Sequence, residues 1–193
     1  MGATWSIAIA GILAALISLS LFSHRSVRAS LTIKATPEDI WKVLTDTESY
    51  GDWNPLYVSV EGDFEPGATM VVEMRNPDRS LSILTPRVVH VVPRQLINQT
   101  GGVRGALAYD HTWQLDPVEG GTKVTQREEY QGIGVLFLDD VWIGAAHRRA
   151  LIQLRDLLES GELAAGTSED DPDKSRKEAV TEIGDYTESE SLG

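Results

Sequence analysis

The chain has 193 residues, 41% of them apolar, and a net charge of −12, which suits one domain with a sizeable core and is short for two. Eleven acids and three bases follow from residue 159 onward, and the rest of the sequence has no basic cluster, which argues against a nucleic-acid partner. The absence of cysteine excludes disulfides, thiolate catalysis and Cys-ligated metal sites.

The N-terminal region contains twenty consecutive uncharged residues, Ala3–Phe22. As a helix this stretch is long enough to cross roughly 30 Å of hydrocarbon, so we predict a single transmembrane helix, with residues 1–29 forming an anchor and a basic flank. A cleavable signal peptide is the alternative, because residues 27–29 resemble a cleavage site, but no basic segment precedes the apolar run. Arg25 and Arg28 follow the span, and the positive-inside rule then places the domain in the cytoplasm.

The next segment predicts a strand followed by two short helices. Residues 30–35 alternate polar and apolar side chains, as a strand does. Thr36 is placed to cap a helix that has Pro37 at its first position and Asp39 at its third. A second helical turn is predicted over residues 47–52.

Six further strands are predicted, which gives seven antiparallel strands in total. They are separated by turns rich in Gly, Pro, Asn and Asp, and their sequences are YVSVEGDF, TMVVEMR, LSILTPRVVHVVP, QLINQT, ALAYDHTWQLDP and TKVTQREEY. Pro86, inside the third of these, indicates an edge strand or a bulge. Because strands and helices are segregated along the chain, the predicted fold class is α+β.

A long helix is predicted over residues 135–158. Its main apolar stripe consists of Ile143, His147, Leu151, Leu154 and Leu158. We expect this stripe to pack across a curved sheet and to enclose a cavity with it. A second apolar face consists of Leu138, Val141, Trp142 and Ala145. The sequence leaves open whether this face packs on the short helices, forms a lid, contacts a second copy of the chain or touches a bilayer.

Three segments resemble the START/Bet v 1-like superfamily, also called SRPBCC or polyketide cyclase/dehydrase and lipid transport. They are ATPEDIWKVLTDTESYGDWNPL, EPGATMVVEM and ALIQLRDLLE. The resemblance covers residues 30–160 and implies the helix-grip fold, a curved seven-stranded antiparallel sheet wrapped around a long C-terminal helix with a hydrophobic cavity between them. It does not imply a reaction, since members include lipid carriers, hormone receptors and cyclases. Residues 161–193 are predicted to be a disordered acidic tail.

The candidate site follows from strand alternation. Leu107, Tyr109, His111, Trp113 and Leu115 share one strand face, and Val124, Gln126, Glu128 and Tyr130 share one face of the next strand. We place these faces inside, because the other register would bury Asp110 and expose Trp113. Simple core filling by the aromatic rings is the alternative. The predicted ligand-binding residues are Trp53, Tyr109, His111, Trp113, Glu128, Tyr130, Ile143 and His147.

The sequence gives weaker support to chemistry in the cavity. His111, His147 and Glu128 are the candidate acid and base groups of an alternative enzymatic function. These side chains are scattered singly along the chain, so no metal site is predicted, and no cofactor is predicted. His90 belongs either to the same site or to a strand surface.

The predicted function is that of a membrane-anchored carrier or sensor that binds a lipid, a quinone or another hydrophobic small molecule without catalysis. The first alternative is a polyketide cyclase or dehydratase-like enzyme. The second is a protein-interaction module that uses the Trp142 face or the acidic tail. The sequence does not set the oligomeric state.

Overall fold

The computed structural model describes residues 2–166, and the chain divides into two units, 1–158 and 159–193. The α-helices of the described residues are α1 (Gly2–Phe22), α2 (Pro37–Thr45), α3 (Tyr50–Trp53) and α4 (Asp140–Gly166), with 3-10 turns at Thr47–Ser49 and Ile133–Phe137. The strands are β1 (His24–Ile33), β2 (Tyr57–Glu61), β3 (Val71–Arg75), β4 (Leu81–Leu84), β5 (Arg87–Val92), β6 (Leu96–Val103), β7 (Leu107–Val118) and β8 (Gly121–Gln131). The fold is α+β, as predicted.

The strands form two antiparallel sheets, one in the order β1-β8-β7-β6-β5 and one in the order β2-β3-β4. A bridge between Thr69 and Arg87 links them. Four of the five residues of the predicted stripe of α4 are buried and Leu158 is partly buried, and Leu151 and Leu154 pack into one core with Val124 of β8 and other strand residues. A long C-terminal helix against a curved antiparallel sheet is the predicted helix-grip arrangement.

The described residues form eight strands, so the predicted number of seven is wrong. The stretch predicted as one strand over residues 81–93 divides into β4 and β5, which belong to different sheets. Pro86 lies at the division, and it has no N–H to donate to a ladder. Its carbonyl instead accepts a hydrogen bond from the Met70 N–H, at 2.9 Å.

The first strand begins earlier than predicted. β1 starts at His24 instead of Ser30, because its pairing with β8 continues until His24 lies opposite Gln131. The predicted basic flank, including Arg25 and Arg28, is therefore part of the sheet.

The long helix also has different limits. Residues 133–137 form a 3-10 turn, and α4 starts at Asp140 instead of Val135. Asp139 marks this start, because its side chain accepts a hydrogen bond from the Trp142 N–H at 2.9 Å, as an N-cap residue does. The helix continues to Gly166, past the predicted limit of the domain at residue 160. The rest of the predicted tail, residues 167–193, lies outside the described residues.

The segment predicted as a membrane span is helical, as α1. Within the described part of the chain, however, no helix meets the combined requirement of length and hydrophobicity for crossing a membrane. The end of α1 is joined to the domain by hydrogen bonds from the Ser20 hydroxyl to the Gly105 carbonyl, at 2.7 Å, and from the Gly132 N–H to the Ser23 carbonyl, at 3.1 Å.

Candidate ligand cavity

A cavity of about 400 Å³ lies within the first unit and is walled by the strands and by α4. Eight aromatic rings line it: Tyr50, Tyr57, Phe64, Tyr109, Trp113, Tyr130, Phe137 and Trp142. The aliphatic wall consists of Leu56, Val60, Val72, Met74, Leu84, Leu107, Leu138, Ile143 and Ala146, and the polar side chains are Gln99, His111, Glu128, Asp139 and His147. A volume of this size, with apolar walls and a few polar groups, is typical of small-molecule sites.

Seven of the eight predicted ligand-binding residues lie on this wall, and Trp53 does not. The register of β7 with β8 brings the strand residues together, since Tyr109 lies opposite Tyr130 and His111 lies opposite Glu128. The rejected face is indeed the outer one. There the Asp110 carboxylate accepts a hydrogen bond from the Asn98 side chain at 2.6 Å.

Trp53 has a structural position behind the wall. It is buried in the core, with its ring centroid 5.0 Å from that of Tyr50, and Tyr50 is the ring that reaches the cavity. Asn54 turns the chain toward β2, because its side-chain oxygen accepts hydrogen bonds from the N–H groups of Leu56 and Tyr57, at 2.9 and 3.3 Å. The W-N-P segment therefore positions two wall residues without contributing to the wall itself.

The three candidate acid and base residues converge at one part of the wall. Nε2 of His147 lies 3.1 Å from Oε2 of Glu128 and donates to it. The ring of His111 lies 5.9 Å from that of His147, centroid to centroid. The Gln126 amide donates to Nε2 of His111 at 3.0 Å, so the His111 ring carries its proton on Nδ1. Two buried atoms of this group, His147 Nδ1 and Gln126 Oε1, have no hydrogen-bond partner within residues 2–166.

Burial and neighbouring charges shift the pKa values of His111 and Glu128 by different routes. Burial lowers the pKa of His111 to about 4, and the attraction of Glu128 only partly opposes this effect. Burial alone would raise the pKa of Glu128, but the hydrogen bond from His147, the nearby imidazoles and the Tyr130 hydroxyl together lower it. At neutral pH the group therefore contains an uncharged His111 and an ionised Glu128.

The tyrosines around Glu128 remain protonated. Burial, reinforced by the negative charge of Glu128, raises the pKa of Tyr109 to about 12 and raises the pKa values of Tyr57 and Tyr130 well above their ordinary value. Each phenol therefore keeps its O–H as a hydrogen-bond donor at physiological pH.

The three-stranded sheet contributes wall residues that alternation does not reveal. A register shift in β2 between Tyr57 and Ser59 places Tyr57 and Val60 on the same side although they are three positions apart. Their partners in β3, Met74 and Val72, also line the cavity. No sequence signal marks this bulge.

The second apolar face of the long helix is divided. Leu138 and Trp142 line the cavity, whereas the Val141 side chain is 79% exposed. The face therefore does not pack as a whole on the short helices. His90 is exposed on β5, outside the cavity. Among residues 2–166, no three His, Asp or Glu side chains are arranged to hold a metal ion.

An antiparallel sheet curved around a long C-terminal helix, with an apolar cavity between them, defines a helix-grip domain. Residues 24–159 match the family model described as polyketide cyclase / dehydrase and lipid transport. Since this match covers well over half of the chain, the protein belongs to that family, within the SRPBCC group. The resemblance seen in the sequence is thereby confirmed.

Solved structures with the same fold have low sequence identity to the chain. A protein from Nitrosomonas europaea has a TM-score of 0.60 and 16% identity, over 72% of this chain and 96% of its own. A protein from Rhodobacter sphaeroides has a TM-score of 0.60 and 19% identity, over 72% of this chain and 99% of its own. The di-domain ARO/CYC StfQ of the steffimycin biosynthetic pathway has a TM-score of 0.58 and 13% identity, over 72% of this chain and 52% of its own. The comparison with curated proteins finds no match.

The buried His111 makes folding stability depend on pH. Its ordinary pKa is 6.5 and its folded value is about 4, so between these values the unfolded chain binds more protons and stability falls as the pH falls. We expect the free energy of unfolding to decrease by about 2 kcal/mol from pH 7 to pH 5 through this residue. In His111→Gln, urea titrations at the two pH values should lack this decrease. His90→Gln, at the exposed strand position, is the control and should retain it; an equal decrease in His111→Gln would contradict the assignment.

Proposed function

We propose that the protein binds a hydrophobic small molecule, such as a lipid or a quinone, in the cavity and acts as a carrier or sensor of it. The observation that carries this proposal is the wall, in which eight aromatic rings and nine aliphatic side chains surround about 400 Å³. An apolar ligand would remove this surface from water, and burial of apolar surface is the main favourable term in such binding.

The form of the cavity supports entry from solvent. Phe137 lines the wall and is 86% exposed, so the cavity reaches the surface beside it. His111 and His147 line the same cavity but are almost completely buried. A ligand that enters past Phe137 would therefore reach apolar rings before these two imidazoles.

Filling the cavity should prevent binding. Ala146 is 1% exposed and lines the wall, so Ala146→Phe places a ring in the space that a ligand would occupy. We expect solvent extraction and mass spectrometry of the full-length protein to reveal a bound apolar molecule, and its occupancy in Ala146→Phe to fall at least about tenfold. Ile152→Phe introduces the same ring at a more exposed position of α4 and should leave occupancy unchanged. Empty wild-type protein that takes up no added lipid would overturn the proposal.

The second candidate function is an enzyme of the cyclase or dehydratase type. The contact between Glu128 and His147 favours it, because an ionised carboxylate held by an imidazole can remove a proton from a carbon next to a carbonyl. The Tyr109 and Tyr130 hydroxyls near Glu128 can donate hydrogen bonds to the carbonyl oxygen. One protein of similar fold, StfQ, is described as an ARO/CYC of a biosynthetic pathway.

This second function predicts proton exchange on an apolar 1,3-diketone such as benzoylacetone. We expect the full-length protein in D₂O to accelerate deuterium incorporation at the central carbon, and Glu128→Gln to reduce this rate by about 10² to 10⁴-fold because the base is lost. The rate would be followed by NMR. Glu129→Gln, the neighbouring outward-facing position, should have the wild-type rate. Exchange no faster than in buffer, or equal in Glu128→Gln, would remove the enzymatic candidate.

The cellular location is a separate prediction, which rests on the sequence. Twenty uncharged residues precede the domain, so we expect full-length protein to sediment with membranes, to resist alkaline carbonate and to expose its domain to the cytoplasm. A variant that lacks residues 1–22 should be released from the membrane fraction. Recovery of the full-length chain in the supernatant would contradict membrane attachment, and protease protection in right-side-out vesicles would check the orientation.

A further inference from the structure

The cavity wall contains carboxylates but no Lys or Arg side chain among the described residues. Glu128 and Asp139 contribute the carboxylates. Arg25, near the start of α4, is paired with Asp140 at 3.5 Å and does not line it. A ligand in this cavity therefore meets negative charge without a compensating guanidinium or ammonium group of the protein.

Glu128 retains the capacity to bind a ligand. Its carboxylate accepts hydrogen bonds from Nε2 of His147 and from the Tyr130 hydroxyl, whereas two carboxylate oxygens offer about four acceptor positions. Its side chain is 15% exposed and faces the cavity. Among residues 2–166, the buried Nδ1 of His147 beside this carboxylate has no hydrogen-bond partner.

Three tyrosines line the same cavity as this carboxylate. Tyr57, Tyr109 and Tyr130 come from three strands and are all close enough to Glu128 to feel its charge. The faces of such rings attract cations, and the attraction grows when the cation is removed from water. A carboxylate in an apolar cavity that phenol rings also line is complementary to an organic cation with an apolar body.

We propose that the ligand is a hydrophobic amine, bound as its ammonium ion with the charged nitrogen against Glu128 and the apolar part along the aromatic wall. This inference rests on the proposed binding function and names its ligand class. A fatty acid or a phosphate ester would bring a second negative charge to the carboxylates. A neutral alcohol would fill the apolar space without balancing the buried charge.

The test compares three probes with the same apolar chain and different head groups: decylamine, decanol and decanoate, each below its micelle concentration. Calorimetric titration of full-length protein at pH 7.5 is expected to show decylamine binding at least about tenfold more tightly than decanol, with decanoate weakest. In Glu128→Gln the affinity for decylamine should fall about tenfold, and that for decanol should change less than about twofold. Glu129→Gln is the matched control and should retain the wild-type ranking.

Two further variants separate binding in the cavity from attraction of a cation to an acidic protein. Ala146→Phe should remove decylamine binding, whereas surface attraction would survive it. Asp139→Asn removes the second wall charge while Asn can still cap α4, so it should weaken decylamine binding without loss of the fold. If Glu128→Gln does not fold, the amine inference is still tested by the order of the three probe affinities in the wild-type protein and by the decylamine affinity of Asp139→Asn.

The outcomes distinguish the two proposals. The amine inference is overturned if decanol or decanoate binds as tightly as decylamine, or if decylamine still binds to Ala146→Phe. The proposed binding function remains in either case, provided that decanol binds in the cavity. Failure of all three probes to bind the wild-type protein counts against the binding function itself, and the amine inference falls with it.

Discussion

The antiparallel register between β7 and β8 is the constraint on which the rest of the site depends. It sets Tyr109 opposite Tyr130 and His111 opposite Glu128, and because strand side chains alternate, all four must face the same side. A shift of one residue in this pairing would turn one of the two strands over, which would bring Asp110 or Glu129 inward and send the rings of that strand to solvent. Helix α4 then covers that face of the sheet and contributes His147, whose Nε2 contacts the Glu128 carboxylate.

The buried polar side chains of the cavity wall stabilise one another through their mutual hydrogen bonds. A buried carboxylate without a partner costs several kcal/mol, so the hydrogen bond from His147 is what allows Glu128 to remain ionised among aromatic rings. His111 is accommodated differently, as a neutral ring that accepts from Gln126. Within the part of the chain that the structure describes, Nδ1 of His147 and Oε1 of Gln126 still have no hydrogen-bond partner. A core built only for stability would place apolar side chains here, and this departure from local rules is typical of functional sites.

Periodicity predicted the parts of the structure that follow regular geometry. The concave faces of β7 and β8, the buried stripe of α4 and the Thr36 cap, which accepts from the Asp39 N–H at 3.2 Å, all follow from alternation, helical spacing or capping chemistry. The failures occur where regularity is interrupted. Pro86 ends one strand and lets the next join another sheet, and the bulge in β2 brings Tyr57 and Val60 to one side. Periodicity carries no information on such interruptions, nor on which ring of the Tyr50–Trp53 pair reaches the cavity.

The fold of this family determines where a cavity lies and leaves its chemistry to individual side chains. Structures that share the fold at 13 to 19% identity therefore do not transfer a ligand to this chain. Here two adjacent residues of α4 have separate effects: Ala146 is small and leaves room above the sheet, and His147 holds the carboxylate that gives this room its polarity. Because volume and polarity are set by different residues, each can change without disturbing the other. The identity of the ligand therefore depends on the few polar side chains around Glu128 more than on the size of the cavity.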